Sequence, residues 1–447
     1  MKIIILELNE VPLKILRKYV GTSIKGKFNS DHYQTISMDK GHLSPWITWS
    51  TIHRGVTNEK HQLNNINQYS KETDNKYPTI FQNCLDKGLS VGLVNTMHSG
   101  ILAENKSNKF KFLIPEAFSR DNFCIPKSLK NFQEFNLLMS RASSRIVSTK
   151  MPKNLNIFKV IFSYLRNTKR TRAIRSVFKQ MLGELFKPHI KVRRRTIQSD
   201  LIFDLYMSLL EKHNPDISSF FTNHVASSMH RFWEASFPYE YTKQISSSNW
   251  ISLYKNEIPL AMKTSREYID ILRKFIDKKK DTQLWIMSSM GQKRVDGYKP
   301  QTYFWDIVNM EKYVTSCLNR NVELKVIPQM IPIYAFSSDI NTINEFGKFL
   351  RETKNLKLRA ITEKTISFSI NNQQREILFR NHNLSPEGII KKKIDEMTSS
   401  SAYHIPEGFL LRYGPKLKTI KNIFFTEEGF IETHKIKQLI EDTLEIK

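Results

Sequence analysis

At 447 residues, 40% hydrophobic and 11% aromatic, the chain is long enough to bury roughly three quarters of its unfolded surface. That suffices for one large α/β domain with an insertion, or for two domains, without a disulfide scaffold. Cys84, Cys124 and Cys317 are odd in number and contain no CxxC pair, which argues against a zinc knuckle and fits a reducing compartment. Sixty-nine Lys and Arg against 43 Asp and Glu leave +26, a field that draws phosphates, anionic lipid or acidic polymers from a distance.

Met1-Lys2 leads directly into a β-branched apolar run, with no small-residue cleavage site and no stretch approaching the roughly 18 apolar residues of a membrane span. The expectation is a cytoplasmic chain. A strand at residues 2–9 comes first, and a helix from Pro45 to Arg54 follows an irregular stretch. A second helix ends at Gly88 and runs into a strand at Ser90 to Thr96. Further strands are expected at Ile217 to Thr222, Leu284 to Ser288 and Lys325 to Phe336, with helices over Asp200 to His213 and Ile258 to Lys278. Alternation of this kind predicts a mostly parallel, doubly wound α/β sheet with helices on both faces, whose functional residues lie beyond the carboxyl ends of the strands. Short β-rich pieces at Leu356 to Ile361 and Thr365 to Ile370 suggest a small β-rich subdomain over 340–420, and Thr433 to Ile446 reads as a closing helix.

One segment stands apart. Arg141 to Arg195 holds 16 Lys or Arg against Glu184 alone, a net +15, with apolar residues at helical spacing such as Ile157, Phe158, Ile161 and Leu165. It predicts two or three basic amphipathic helices. The expected organisation is therefore an α/β core over 1–131 and 200–447, with a basic helical insertion over 132–199 that acts as a cap or faces a membrane. No nucleic-acid motif accompanies the charge, so nucleic acid is disfavoured, and the segment is read either as a peripheral contact with anionic membrane or as a solvated cover over the active-site face.

Four segments carry candidate chemistry: IIILELNE (Ile3 to Glu10), SPWITWSTIHRG (Ser44 to Gly55), TNHVASSMHRFW (Thr222 to Trp233) and YHIPEGFLLRYG (Tyr403 to Gly414). Ser44-Pro45 is a helix start. Its hydroxyl either caps free amides or, at the positive end of the helix dipole, serves as a nucleophile toward a phosphoryl or sulfuryl group. His224 and His230 lie six apart, one directly after a strand, a spacing compatible with metal binding as well as with core packing.

In order and spacing these segments resemble the alkaline phosphatase superfamily, in particular its phosphodiesterase and nucleotide pyrophosphatase branch. The resemblance covers nearly the whole chain except the basic insertion. It places Ser44, with Thr48 as second choice, in the nucleophile position, although one extra residue separates Ser44 from Gly55. It places His230 and His404 at ligand positions, the latter within His404-Ile405-Pro406-Glu407-Gly408. It also exposes departures: Asn9 stands where the first strand should end in a metal-binding Asp, Ala226 replaces a carboxylate, and Ser289-Met290 replace an Asp-His pair. A two-metal site cannot be assembled from these residues. The resemblance implies at most one divalent ion, zinc or manganese, held by His230, His404 and either His224 or Asn223, or no ion at all. Asn9, Asn223 and Arg231 are the candidate substrate-binding residues. The implied activity is hydrolysis or transfer of a phosphate- or sulfate-type ester on an anionic glycan, lipid-linked or nucleotide substrate, as in surface-polysaccharide pathways, from a membrane-peripheral position in the cytoplasm. The alternative is a catalytically inactive member that binds an anionic ligand or acts as a scaffold.

Overall fold

A computed structural model describes residues 1–446 except 42, 67, 69, 101–108, 143–155, 299–302, 328, 330–332, 354–355, 371–386 and 394–399. In chain order its strands are β1 (Lys2–Leu8), β2 (Ser30–Ile36), β3 (Val91–Val94), β4 (Phe110–Ile114), β5 (Ile217–Thr222), β6 (Thr282–Ser288) and β7 (Gly291–Arg294). There follow β8 (Tyr303–Ile307), β9 (Lys325–Ile327), β10 (Ile333–Ser337), β11 (Leu356–Ile361), β12 (Thr365–Ile370) and β13 (Ile389–Lys393). The last three are β14 (Ala402–Ile405), β15 (Glu407–Tyr413) and β16 (Ile431–Glu432).

Eight strands form one sheet in the order β16-β2-β15-β6-β1-β5-β3-β4. From β6 to β4 all pairs are parallel, whereas β15 runs antiparallel to both β6 and β2. The chain is thus α/β with a mostly parallel sheet, as its alternating pattern predicts.

Alternation along the central strands explains the double covering. Ile4, Leu6 and Leu8 enter one buried cluster with residues of the helices Arg194–His213, His224–Ser236 and Glu257–Ile276. Ile3 and Ile5 enter the other, with residues of the helices Pro45–Arg54, Ile80–Asp86 and Ile436–Leu444. A strand buried on both faces must be apolar at every position, which is why β1 reads as a continuous run. The exception is Glu7, wholly buried, which accepts a hydrogen bond from Ser219 Oγ at 2.7 Å and lies 2.9 Å from His53 Nε2.

The helix Pro45–Arg54 has the predicted bounds and closes on Gly55 in the left-handed region at φ 71°. The predicted Ser90 to Thr96 strand shortens to β3, and the predicted Lys325 to Phe336 strand is two antiparallel strands, β9 and β10, so the chain reverses within it.

The chain divides into two compact units, Met1–Leu137 with Pro152–Tyr298 and Ser400–Lys447, and Leu138–Met151 with Lys299–Ser399. The smaller holds a four-stranded sheet in the order β11-β12-β10-β9 and the pair β13-β8 around a core that includes Tyr313, Phe346 and Phe368. The 340–420 stretch therefore does not stay together: β14 and β15 belong to the larger unit, and β15 lies inside the main sheet. The basic segment is helical where described, over Ile157–Asn167 and Arg172–Phe186, and groups with the larger unit. Among the described residues no helix is long and apolar enough to cross a membrane.

Candidate metal centre

Parallel register brings three strand ends to one rim. Leu8 pairs with Thr222 and Glu7 with Met287, so Asn9-Glu10, Asn223-His224 and Ser288-Ser289 all follow at the carboxyl ends of adjacent strands. Beyond β1 the backbone turns through Glu10 in the left-handed region, at φ 58°. A non-glycine residue there costs of order 1 kcal/mol or more and marks a position that the surroundings hold in place. The turn directs a carboxylate, only 3% exposed, into the rim.

Two histidines meet it. His230 sits two turns into the His224–Ser236 helix, and its Nε2 lies 2.8 Å from Glu10 Oε2. His404 is carried by β14, which pairs antiparallel with β7 and sets His404 opposite Gln292; its Nε2 lies 3.2 Å from the same oxygen. Candidate ligand atoms of Glu10, His230 and His404 all fall within 4.8 Å of one another, and this is the one such group among the described residues.

The turn after His404 depends on its small neighbour. A Cβ at Gly408 would stand 2.4 Å from the Ser288 carbonyl oxygen, so only glycine lets β15 close against the end of β6.

Backbone carbonyls orient both rings. His230 Nδ1 donates to the Ala402 carbonyl at 2.9 Å, and His404 Nδ1 donates to the Leu43 carbonyl at 2.8 Å. With the Nδ1 proton of each ring committed to a carbonyl, Nε2 is the nitrogen turned toward Glu10: protonated, it donates to the carboxylate, and on losing that proton it offers the lone pair a metal ligand needs. Glu10 is oriented as well: Oε1 accepts from Asn9 Nδ2 at 2.9 Å, and Oε2 accepts from Gln292 Nε2. Burial by itself raises the Glu10 carboxyl, but the charges and hydrogen bonds of His404 and His230 outweigh it and hold the group well below the usual carboxylate range. For His404, burial pulls downward and the Glu10 carboxylate prevails, raising the imidazole.

Two imidazole nitrogens and one carboxylate oxygen, with oriented rings, fit the three-ligand set of a catalytic zinc ion that keeps a position open for water or substrate. The third member of the group that could hold an ion is Glu10 rather than His224. His224 is 3% exposed; its Nδ1 lies 2.7 Å from Thr222 Oγ1, and its Nε2 lies 3.0 Å from the Ala261 carbonyl and 3.2 Å from Ser265 Oγ. Both nitrogens are committed to the core, and burial lowers the ring to about 4.

Asn9 is 1% exposed and bridges three groups. Its Oδ1 accepts from Trp49 Nε1 at 2.9 Å, and its Nδ2 donates to Glu10 Oε1 and, at 2.7 Å, to Asn223 Oδ1. An oxygen already facing an indole N–H is a poor place for a second cation, so Asn9 positions Glu10 rather than binding a metal. Asn223 is exposed at the rim. Arg231 is buried at 6% exposure with its guanidinium 4.7 Å from the Phe232 ring centre, and burial lowers it to about 9. A side chain so placed packs the helix instead of greeting a substrate.

Ser44 and Thr48 part company. Ser44 is the N-cap residue, half-buried, and its side chain makes no capping hydrogen bond, so the bland capping explanation of this serine is not realised. It directly follows Leu43, whose carbonyl holds the His404 ring. Thr48 is fully buried, with its hydroxyl 2.8 Å from Ser289 Oγ and 3.3 Å from the Ser44 carbonyl. A nucleophile must reach its substrate, and of the two only Ser44 has any exposure.

Sequence reasoning missed Glu10. A carboxylate in the residues just past a central strand was the available signal, obscured because Asn9 occupies the register position of the expected aspartate.

No protein-family model matches the chain, and no curated protein sequence matches it. Solved structures do match over nearly its whole length. Human ectonucleotide pyrophosphatase/phosphodiesterase 5 superposes with a TM-score of 0.40 at 11% identity, covering 100% of this chain and 96% of that one. The murine protein of the same name gives 0.38 at 10% identity, with the same coverage. Phosphonoacetate hydrolase from Sinorhizobium meliloti 1021, solved with phosphonoformate, gives 0.37 at 13% identity, covering 99% of this chain and 95% of that one. At such low identity and TM-score the likeness assigns no residue a role, and the chemistry of this chain rests on its own side chains.

Proposed function

We propose that this chain is a metal-dependent hydrolase or transferase of phosphate- or sulfate-type esters, built around one ion held by Glu10, His230 and His404. The observation that carries the reading is the convergence of three donors whose rings are already aimed by the Ala402 and Leu43 carbonyls, with Ser44 adjoining one of those carbonyls. An ion in this donor set supplies Lewis-acid polarisation of a phosphoryl or sulfuryl oxygen.

The protein supplies the rest. In this reading Ser44 Oγ attacks phosphorus or sulfur at the positive end of the helix Pro45–Arg54, where developing negative charge is favoured. The bond from Ser44 Oγ to phosphorus or sulfur forms as the bond from that atom to the ester's leaving oxygen breaks, and the leaving oxygen takes up the serine proton; water then cleaves the serine ester in hydrolysis, or an acceptor hydroxyl takes the group in transfer. Asn9, held by Trp49, keeps Glu10 in place. The rim suits an anionic small molecule or glycan, lipid-linked or nucleotide-bound, and a role in surface-polysaccharide synthesis remains part of the proposal.

A second reading has its own support, since one donor group is all the described residues hold. In it, the chain binds an anionic ligand without turnover. Elemental analysis of the purified protein, followed by assay of aryl phosphate, phosphodiester and sulfate esters with zinc or manganese, separates the two. One bound ion with turnover of any of these esters supports the first reading. One bound ion with no turnover supports the second, and metal-free protein with no turnover across the panel removes the first.

A further inference from the structure

The helices Ile157–Asn167 and Arg172–Phe186 are amphipathic in an inverted sense. On the first, Phe158, Ile161, Phe162 and Leu165 recur at helical spacing and are exposed, Phe158 at 81% and Phe162 at 67%. On the second, Phe178, Met181, Leu182, Leu185 and Phe186 are exposed, Leu185 at 76% and Phe186 at 83%, while only Ala173 and Gln180 are buried. Eleven of the twenty exposed large hydrophobic residues among the described positions lie in these two helices. A concentration of this kind signals a surface that is covered in use.

Polar bonds, rather than apolar packing, hold the second helix to the core. Arg172 Nη1 lies 2.8 Å from Asp200 and Nη2 3.1 Å from Asp204, and Asp204 also accepts the Ala173 amide at 2.9 Å. Gln180 donates to the Ile190 carbonyl at 2.8 Å. This latch leaves the apolar side facing outward.

Lys159, Arg166, Lys169, Arg175, Lys179 and Lys187 are exposed around the apolar residues. The one acid between residues 156 and 187, Glu184, is held by Arg194. Apolar and aromatic side chains flanked by unopposed cations are the composition of helices that lie in the interface of an anionic bilayer. A second copy is disfavoured, because mating the same face twice would oppose cation to cation. We infer that Ile157–Phe186 is a membrane-docking surface that inserts these apolar side chains among the acyl chains of an anionic lipid leaflet, with the flanking Lys and Arg on the headgroups. The inference does not depend on the metal centre.

The test uses the full chain in sedimentation with vesicles of phosphatidylcholine alone and with phosphatidylglycerol added. The chain is expected to bind the anionic vesicles, and Phe162→Ser/Phe178→Ser/Leu185→Ser to bind about tenfold more weakly or worse while keeping its near-ultraviolet circular dichroism, since the three sites are exposed. A Phe162→Trp variant should shift its emission to the blue on binding and be quenched by brominated acyl chains. Wild-type protein that ignores anionic vesicles overturns the inference, whether it is monomeric or pairs through this face. So does binding that the triple variant retains in full, which would mean electrostatic adsorption without insertion.

Discussion

Glu10 Oε2 and His230 Nε2 stand 2.8 Å apart, although one residue follows β1 and the other lies within the helix His224–Ser236, and His404 closes on the same oxygen at 3.2 Å. Zinc titration followed by calorimetry should therefore give one site, lost in Glu10→Gln and in His404→Ala. Asn9→Ala, which removes only the amide that orients Glu10, should weaken binding roughly 10- to 100-fold. His224→Gln should leave the affinity near the wild-type value, and a fall as deep as that of His404→Ala would restore His224 to the ligand set.

Ser44 and Thr48 should separate in one experiment. Ser44→Ala is expected to abolish turnover of any ester that the protein accepts while leaving bound metal and stability unchanged, because its side chain makes no capping bond. Thr48→Val removes a buried hydroxyl paired with Ser289 and should cost about 1–3 kcal/mol of stability, with turnover still measurable. Equal turnover in wild type and Ser44→Ala would end the nucleophile assignment.

Acid should weaken the fold below neutral pH. Burial lowers His61 to about 3 and His98 and His224 to about 4, below the roughly 6.5 of an unfolded chain. Groups depressed in this way contribute stability that is present above pH 6.5 and is lost as pH falls from there to the folded values, since the unfolded state binds the protons first. Each contributes at most about 1.4 kcal/mol per pH unit; His404, raised by Glu10, has the opposite sign, but its change falls above roughly pH 6.5 and leaves this window untouched. Urea midpoints measured from pH 7.5 to about pH 4 should fall, less steeply in His224→Gln. Midpoints that stay level would show that these rings titrate normally.

Arg172 is the main fastening of the outward-facing helix. Arg172→Ala leaves Asp204 and Asp200 without their cation and should cost about 3–5 kcal/mol, read as a lower urea midpoint. Replacing Arg172, Asp200 and Asp204 together with uncharged residues of similar size should recover much of the loss. A loss no smaller in the triple variant would place the cost in packing around Arg172 instead.

Much of the architecture was legible because it follows from neighbours in the chain. The run through β1, the proline start and left-handed glycine end of the helix Pro45–Arg54, and β5, β11 and β12 appear within the bounds their patterns predict. So does the basic helical stretch, whose period shows two amphipathic faces but not which face turns outward. That decision belongs to Asp200 and Asp204, which draw Arg172 inward from a distant helix.

At the candidate metal centre the division is sharper. The sequence by itself marked His230, shortly after a central strand, and His404, within its own histidine-proline-glycine motif, as candidate ligands, since hydrophobic period, strand ends and motif spacing are local properties. Only the tertiary structure decided that Glu10 joins them and His224 does not. A left-handed backbone at one residue turns Glu10 inward, and the Ala261 carbonyl, supplied by another helix, takes the His224 ring into the core. Which donors share an ion depends on such turns and long-range hydrogen bonds, and no adjacent residue encodes them.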